Sequence, residues 1–374
     1  MWNSARLCRA LAGMLLAATL GTTLTTEAAA TKRRTTRRRA TAPVSSKHKA
    51  AKPAKPPEPV YTAEAVNGAT PELPFTSASS GPDVLRVQVL LDRAHFSVGE
   101  IDGRHGTNTS RALAAFKKAR GLPGGDSLDE ATWAALARDN APVVVPYTIN
   151  DQDVAGPFFD VPEEMMDKAK LPALGYGSLL ELLAERHHVA PRLLVALNQK
   201  SSPRSLPEGK ALEGVAASFR QAGAQIVVPA VERPPLGKAS RIVVNAKDLS
   251  VTALDQAGNV LSRYPATVGS QHDPLPEGEF KVNGVSWNPP FKYNPDLFWD
   301  AEPGDTKTML KPGPNSPVGV VWVDLSKEHY GIHGTAEPAS IGKSASHGCI
   351  RLTNWDAKEL GQIVAPGVKA TLER

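Results

Sequence analysis

Residues 346–352 read Ser-His-Gly-Cys-Ile-Arg-Leu. Cys349 stands between a glycine and a run of strand formers, with His347 two positions before it, a spacing that puts both side chains on one face of an extended backbone. Cysteine attacks a carbonyl only as thiolate, so a catalytic Cys needs a base or a positive field beside it. Two histidines qualify. One is His347; the other is His333, sixteen residues upstream in Tyr330-Gly-Ile-His-Gly-Thr335, which meets the thiol only if two strand ends converge. Spacing alone leaves the choice open. Gly348 admits a positive φ and close approach of a substrate. Backbone N–H groups around a nucleophile are the usual oxyanion donors in acyl transfer, which makes Gly348 and Cys349 the candidates here.

The N-terminus decides whether Cys349 has a disulfide partner. Arg6 and Arg9 precede an apolar run from about Ala10 to Leu24, and Ala28–Ala30 supplies the small residues of a cleavage site, so residues 1–30 are expected to be a secretory signal. The run is short for a membrane span and rich in Ala, Gly and Thr; an uncleaved anchor is the alternative. Of the two cysteines, Cys8 falls inside this leader, so the mature chain would keep Cys349 alone in a compartment where cysteines usually pair. A free thiol is often a small buried hydrophobe. Compartment and context favour a reactive one.

The net charge of +5 is unevenly spread: residues 31–57 hold ten Lys or Arg and no acid, the leader adds a net +1, and the remainder carries −6. Residues 31–80 are expected to form a disordered, basic, Pro/Ala-rich tether drawn to anionic lipid or wall polymer. Nucleic acid is not expected as a partner of an exported chain.

Three textures follow, predicting a multidomain α+β protein. Residues 81–140 show helical periodicity in Val84–Arg93 and Ser110–Leu122, separated by a Gly-rich loop, as in a small three-helix module. Residues 146–230 place two helical stretches between the β-forming Tyr147-Thr-Ile149 and Gln225-Ile-Val-Val-Pro229. His187 and His188 are expected on the solvated helix face. The stretch Glu232-Arg-Pro-Pro-Leu-Gly-Lys238 marks a linker. From about residue 240 to 374 the period shortens to that of strands, predicting a mostly-β, sandwich-like domain with one late helix capped by Thr353 or Asn354 and with Trp322 in its core.

Three resemblances attach to these segments. Gln88, Leu91, Asp102-Gly103, Gly106, Thr109, Ala112, Phe116, Gly121-Leu122 and Thr132-Trp133 resemble the peptidoglycan-binding helical module, with Lys117 in place of a usual glutamine. Residues 146–230 resemble a LysM module, a βααβ fold that binds N-acetylglucosamine polymers, with Asp151–Tyr176 as an insertion. His333-Gly334-Thr335 followed by Ser346-His-Gly-Cys-Ile-Arg-Leu352, together with Asp273–Phe280, Pro312–Gly319 and Arg351–Asp356, resembles the L,D-transpeptidase (YkuD-like) catalytic domain.

This last resemblance implies a two-step acyl transfer on peptidoglycan stems with neither metal nor organic cofactor. Cys349 matches the nucleophile and His333 the general base, with Gly334 orienting the imidazole through its carbonyl. Ser346, His347 and Gly348 match the flank that shapes the pocket and oxyanion site. Arg351 either contacts a substrate carboxylate or sits in a buried ion pair. Tyr330 and Trp299 either wall the cleft or belong to the core. The implied partners are stem peptides and glycan strands, and the implied location is periplasmic or wall-associated. The acceptor is a stem amine, water or a protein lysine. A zinc site from His333, His347 and Cys349 is the chemical rival, and a non-catalytic wall-binding protein the functional one.

Overall fold

The computed structural model describes residues 59–374 except Ser77, Ala217, Ser218, Gln271, Asp300, Ala345 and His347. The expected leader, most of the tether and the candidate His347 therefore lie outside the described residues.

The end of the expected tether is folded. Residues 59–80 carry α1 (Ala63–Asn67), and Tyr61, Val66 and Phe75 are buried against the helices that follow. The Asn67 side chain fixes the next module by donating to Val144 O at 2.9 Å and accepting from the Val143 and Val144 amides. Pro/Ala-rich composition masked these apolar anchors. The expected three helices are α2 (Pro82–Arg93), α3 (Thr107–Ala119) and α4 (Glu130–Leu136). Gln88 staples the α2–α3 loop by donating to Asp102 Oδ1, Arg104 O and Thr109 Oγ1, and by accepting from the Gly103 amide at 2.8 Å. Lys117, the departure from pattern, is buried and pairs with Asp129 at 2.6 Å, tying the loop before α4 to α3.

The middle segment opens and closes with a strand and, among the described residues, holds five α-helices between them, where two were expected. Strand β1 (Val144–Thr148) pairs antiparallel with β2 (Gln225–Pro229). Between them lie the one-turn helices α5 (Asp151–Val154) and α6 (Met165–Lys168), then α7 (Leu179–Arg186), α8 (Pro191–Gln199) and α9 (Lys210–Val215). The histidines after α7 are not on a solvated face. His187 Nδ1 contacts Pro229 O, and burial pushes its imidazole down to about 4. His188 takes φ +54°, ending the helix, so its ring turns inward to Asp92 at 3.0 Å and stacks on Trp355.

The C-terminal segment contains β3 (Arg241–Asn245), β4 (Ser250–Leu254), β5 (Val260–Pro265), β6 (Thr267–Val268), β7 (Gly278–Trp287), β8 (Phe291–Tyr293), β9 (Thr308–Leu310), β10 (Val321–Leu325), β11 (Gly331–His333), β12 (Ile350–Arg351), α10 (Asn354–Ile363) and β13 (Lys369–Glu373). Nine of these strands form one mixed sheet in the order β5-β4-β3-β13-β7-β10-β11-β12-β6, and β8 and β9 form a separate two-stranded sheet. The two ends of the sheet are consecutive in sequence, separated by Ala266 alone, so the sheet curls back toward itself. It is barrel-like, where two stacked sheets were expected. Alternation alone cannot distinguish the two, because both bury one face of every strand. Inside lie Ile242, Val244, Val251, Tyr264, Val321, Val323, Ile332, Ile350 and Leu360 of α10. Thr353 Oγ1 caps α10 by accepting from the Asp356 amide.

The segment expected as a linker is a junction. Arg233 is buried among carboxylates from different modules: Glu359 at 2.9 Å, Asp92 at 3.6 Å and Asp356 at 3.9 Å. His95 joins Glu359 from the helical module at 2.9 Å. Buried charges persist only when paired, so this cluster fixes the helical and middle modules against α10.

Candidate active site

Register places the candidate residues. β11 and β12 run parallel with His333 opposite Arg351, and β10 pairs antiparallel with β11, setting Trp322 opposite His333. Successive side chains alternate between faces. Val321, Val323, Ile332 and Ile350 therefore fill the core, while Trp322, His333, Arg351 and Cys349 share the opposite face. Cys349, one residue before β12, falls beside Gly331. Gly331 must lack a side chain, since a Cβ there would lie 2.4 Å from the Trp322 ring.

His333 is buried, and its Nδ1 donates to Gly334 O at 2.7 Å. That bond fixes the tautomer and leaves Nε2 as the bare nitrogen of the neutral ring. Burial first, then the positive charge of Arg351, pushes the imidazole down to about 3, with the Gly334 carbonyl opposing them. The Trp322 indole lies against the other side of the ring.

Cys349 is a free, half-buried thiol whose Sγ lies 3.7 Å from His329 O. Burial raises its pKa, while a backbone hydrogen bond from Gly331 and the charge of Arg351 pull it down. Burial thus works against the charged form of each group, the imidazolium of His333 and the thiolate of Cys349. The turn before it has the expected shape: Gly348 takes φ +96°, and a Cβ there would sit 3.2 Å from the Tyr330 hydroxyl. Ser346 is buried, donates through Oγ to Cys349 O at 2.7 Å, and anchors its own amide on Gly269 O at 2.9 Å. Tyr330 is half-buried, its phenol pushed up by burial and then by Cys349. Arg351 is half-buried, and no carboxylate among the described residues pairs with it. Trp299 is 61% exposed and stacks on His272, so it is not core. His347 lies outside the described residues, as does that part of the metal alternative. No three His, Cys, Asp or Glu side chains among the described residues converge as a metal site.

Two residues of the site were missed. Trp322, expected in the core, is half-buried and backs the histidine. The signal was present, because Val321, Val323 and Leu325 alternate inward and leave position 322 to face outward. Asn354, considered only as a helix cap, is wholly buried, with its Oδ1 against Gly334 and Gly319. No local pattern marks it, since its partners are distant in sequence.

Comparison with known proteins agrees. The L,D-transpeptidase catalytic domain matches residues 239–371, and a peptidoglycan binding domain matches residues 80–136. The L,D-transpeptidase YkuD of Bacillus subtilis is 32% identical over 185 residues, covering 45% of this chain and 96% of the relative. Its Bacillus licheniformis counterpart is 30% identical, covering 44% and 94%. A solved L,D-transpeptidase from Xylanimonas cellulosilytica aligns at 16% identity over 81% of this chain and 99% of that one, with a TM-score of 0.34, too slight an overlap for a structural comparison. The catalytic-domain match over residues 239–371 and the likeness to a relative covered over 96% of its length, in a chain that carries the Ser-His-Gly-Cys sequence, make it a member of the YkuD family of L,D-transpeptidases.

Proposed function

We propose that the protein cross-links peptidoglycan through a thioester on Cys349. His333 Nε2 takes the thiol proton as Sγ attacks the carbonyl carbon of the third stem residue, a diamino acid. The Gly348 and Cys349 amides hold the resulting oxyanion, and such donors typically contribute about 3 to 4 kcal/mol each. The C–N bond then breaks, and the terminal D-alanine leaves with the proton that His333 held. An acceptor amine of another stem attacks the thioester and gives its proton to His333. The thiol leaves reprotonated, and a 3-3 cross-link remains. Water as acceptor would make the protein an L,D-carboxypeptidase, and a protein lysine would make it a wall-anchoring enzyme. Arg351, whose charge acts on the thiol and which pairs with no carboxylate among the described residues, suits a substrate carboxylate, with Tyr330 on the cleft wall.

One observation carries this proposal: the Nδ1 bond to Gly334 O, which leaves a bare Nε2 on the face that also bears a half-exposed thiol. The leader-like N-terminus and the basic stretch of residues 31–57 support export across the inner membrane and a hold on anionic lipid or wall polymer. The antiparallel pairing of β1 with β2, with α7 and α8 among the helices between them, supports a LysM-like glycan-binding role for the middle module. The test is incubation of the purified protein with tetrapeptide-bearing muropeptides, reading products by mass. Dimers with loss of D-alanine are expected, and none from Cys349→Ala, which should still bind sacculi. Turnover undiminished in that variant would remove the proposal, and wall binding without turnover by the parent would favour a non-catalytic binder.

A further inference from the structure

The middle module meets the catalytic domain directly behind His333. Leu174, at the end of the insertion that follows β1, is buried against Tyr293 and Leu310 of the β8–β9 hairpin. Its amide donates to Pro312 O at 3.1 Å, and its carbonyl accepts from the Asn315 amide at 2.9 Å. The Asn315 side chain donates to Gly175 O and to Glu181 of α7. Segment 312–319 is therefore laced to the middle module over several residues. It leads into β10, which carries Trp322.

Asn354 completes the connection. Its Nδ2 donates to Glu185 Oε2 of α7 at 2.8 Å and to Pro314 O at 3.1 Å, while its Oδ1 accepts from the Val320 amide at 3.2 Å. Both donors and the acceptor are in use, so the carboxamide has one orientation. That orientation lays Oδ1 against Gly334, where an added Cβ would come within 2.2 Å of it. The Gly334 amide donates to Val321 O at 3.2 Å, and its carbonyl holds His333 Nδ1 at 2.7 Å. The peptide that orients the imidazole is thus packed from behind by Asn354. Glu185 is itself held by the Tyr176 hydroxyl at 2.8 Å, with Lys358 Nζ at 3.9 Å.

We propose that Asn354 and Glu185 are positioning residues for His333, and that the middle module, by supplying Glu185, is a working part of the catalytic centre as well as a wall-binding appendage. The inference rests on the thioester chemistry proposed above. Removing the Glu185 carboxylate leaves a buried Nδ2–H without a partner. The carboxamide can then rotate, and the Gly334 carbonyl loses its backing. A displacement of a catalytic group by about 1 Å costs on the order of a hundredfold in rate.

The test uses the full chain with Glu185→Ala and Glu185→Gln, whose amide oxygen can still accept from Asn354. Acyl-enzyme formation on a tetrapeptide stem is followed by mass, and alkylation of Cys349 by iodoacetamide is followed against pH. Glu185→Ala is expected to lose roughly tenfold or more in maximal acylation rate at unchanged half-saturating donor concentration, and to shift the pH midpoint of alkylation. Glu185→Gln should recover most of both. A Glu185→Ala protein that melts like the parent and acylates at its rate overturns the proposal. If Glu185→Ala does not fold, Glu185→Asp, one methylene too short to reach Asn354, carries the same two outcomes. Should the parent itself never acylate, the thioester chemistry fails instead, and an unchanged alkylation midpoint in the variants would still overturn the positioning role.

Discussion

The imidazole of His333 lies nearly parallel to the indole of Trp322, with 5.3 Å between ring centroids and 16° between planes. The stack follows from cross-strand pairing of the two residues. It holds the ring on one side while Gly334 O holds its edge. Such stacks contribute about 0.5–1.5 kcal/mol beyond area burial. Trp322→Ala is expected to slow acyl-enzyme formation about tenfold, whereas Trp322→Phe keeps most of the rate. Single-turnover mass spectrometry checks both, and an unchanged rate in the alanine variant would reduce the stack to packing.

A second prediction concerns pH. With His333 held down to about 3 and the Cys349 thiol raised, little thiolate is expected at neutral pH. Iodoacetamide alkylation of Cys349 should climb through pH 7 and keep rising past the ordinary thiol pKa of about 8.5. A preformed thiolate–imidazolium pair would instead give a plateau beginning in the acid range. The sign for stability follows by linkage: with its folded pKa depressed, His333 binds fewer protons folded than unfolded between about 3 and about 6.5. Its contribution is complete above that window and is lost as pH falls through it. The His333 ring resonances should accordingly not titrate between pH 5 and 8 by NMR.

Arg351 has no carboxylate partner among the described residues. Arg351→Gln should therefore leave the melting temperature nearly unchanged while raising the half-saturating concentration of a carboxylate-bearing donor about tenfold, the loss of one charge-assisted contact. A large drop in melting temperature with unaltered donor affinity would assign the guanidinium to structure instead.

Gly348→Ala forces a side chain into φ +96° and toward the Tyr330 hydroxyl. Backbone strain of this kind costs about 1–3 kcal/mol. If the turn supplies oxyanion donors, the acylation rate should fall by roughly 10² to 10³, well beyond what the change in thermal stability explains. A rate that merely tracks stability would remove the oxyanion role.

The junction makes a stability prediction. Arg233→Ala leaves Asp92, Asp356 and Glu359 without their shared cation. Breaking a buried pair by removing one partner costs about 3–5 kcal/mol, so calorimetry should show a lower midpoint or a separate transition for the helical and middle modules. An unshifted single transition would show that apolar packing holds the modules together.

Sequence by itself determined the local elements and the chemistry-bearing residues. The helices of the first module, the two strands that bound the middle one, the β3–β5 meander, a helix cap at Thr353 or Asn354 and the positive φ of Gly348 follow from periodicity and turn chemistry within a few residues. Cys349 stands out by its context in the sequence, whereas the preference for His333 over His347 and the part given to the Gly334 carbonyl come only with the resemblance to the catalytic domain. Tertiary structure decided which residues meet. The curl of the sheet brings β6 to β12, strand register turns Trp322 onto His333, and residues as remote as Glu185 and Asn354, or Asp92 and Arg233, become neighbours. Periodicity assigns a side chain to a face. Only the packing of those faces, through strand register and buried polar groups that must find partners wherever the fold brings them, assigns it a neighbour.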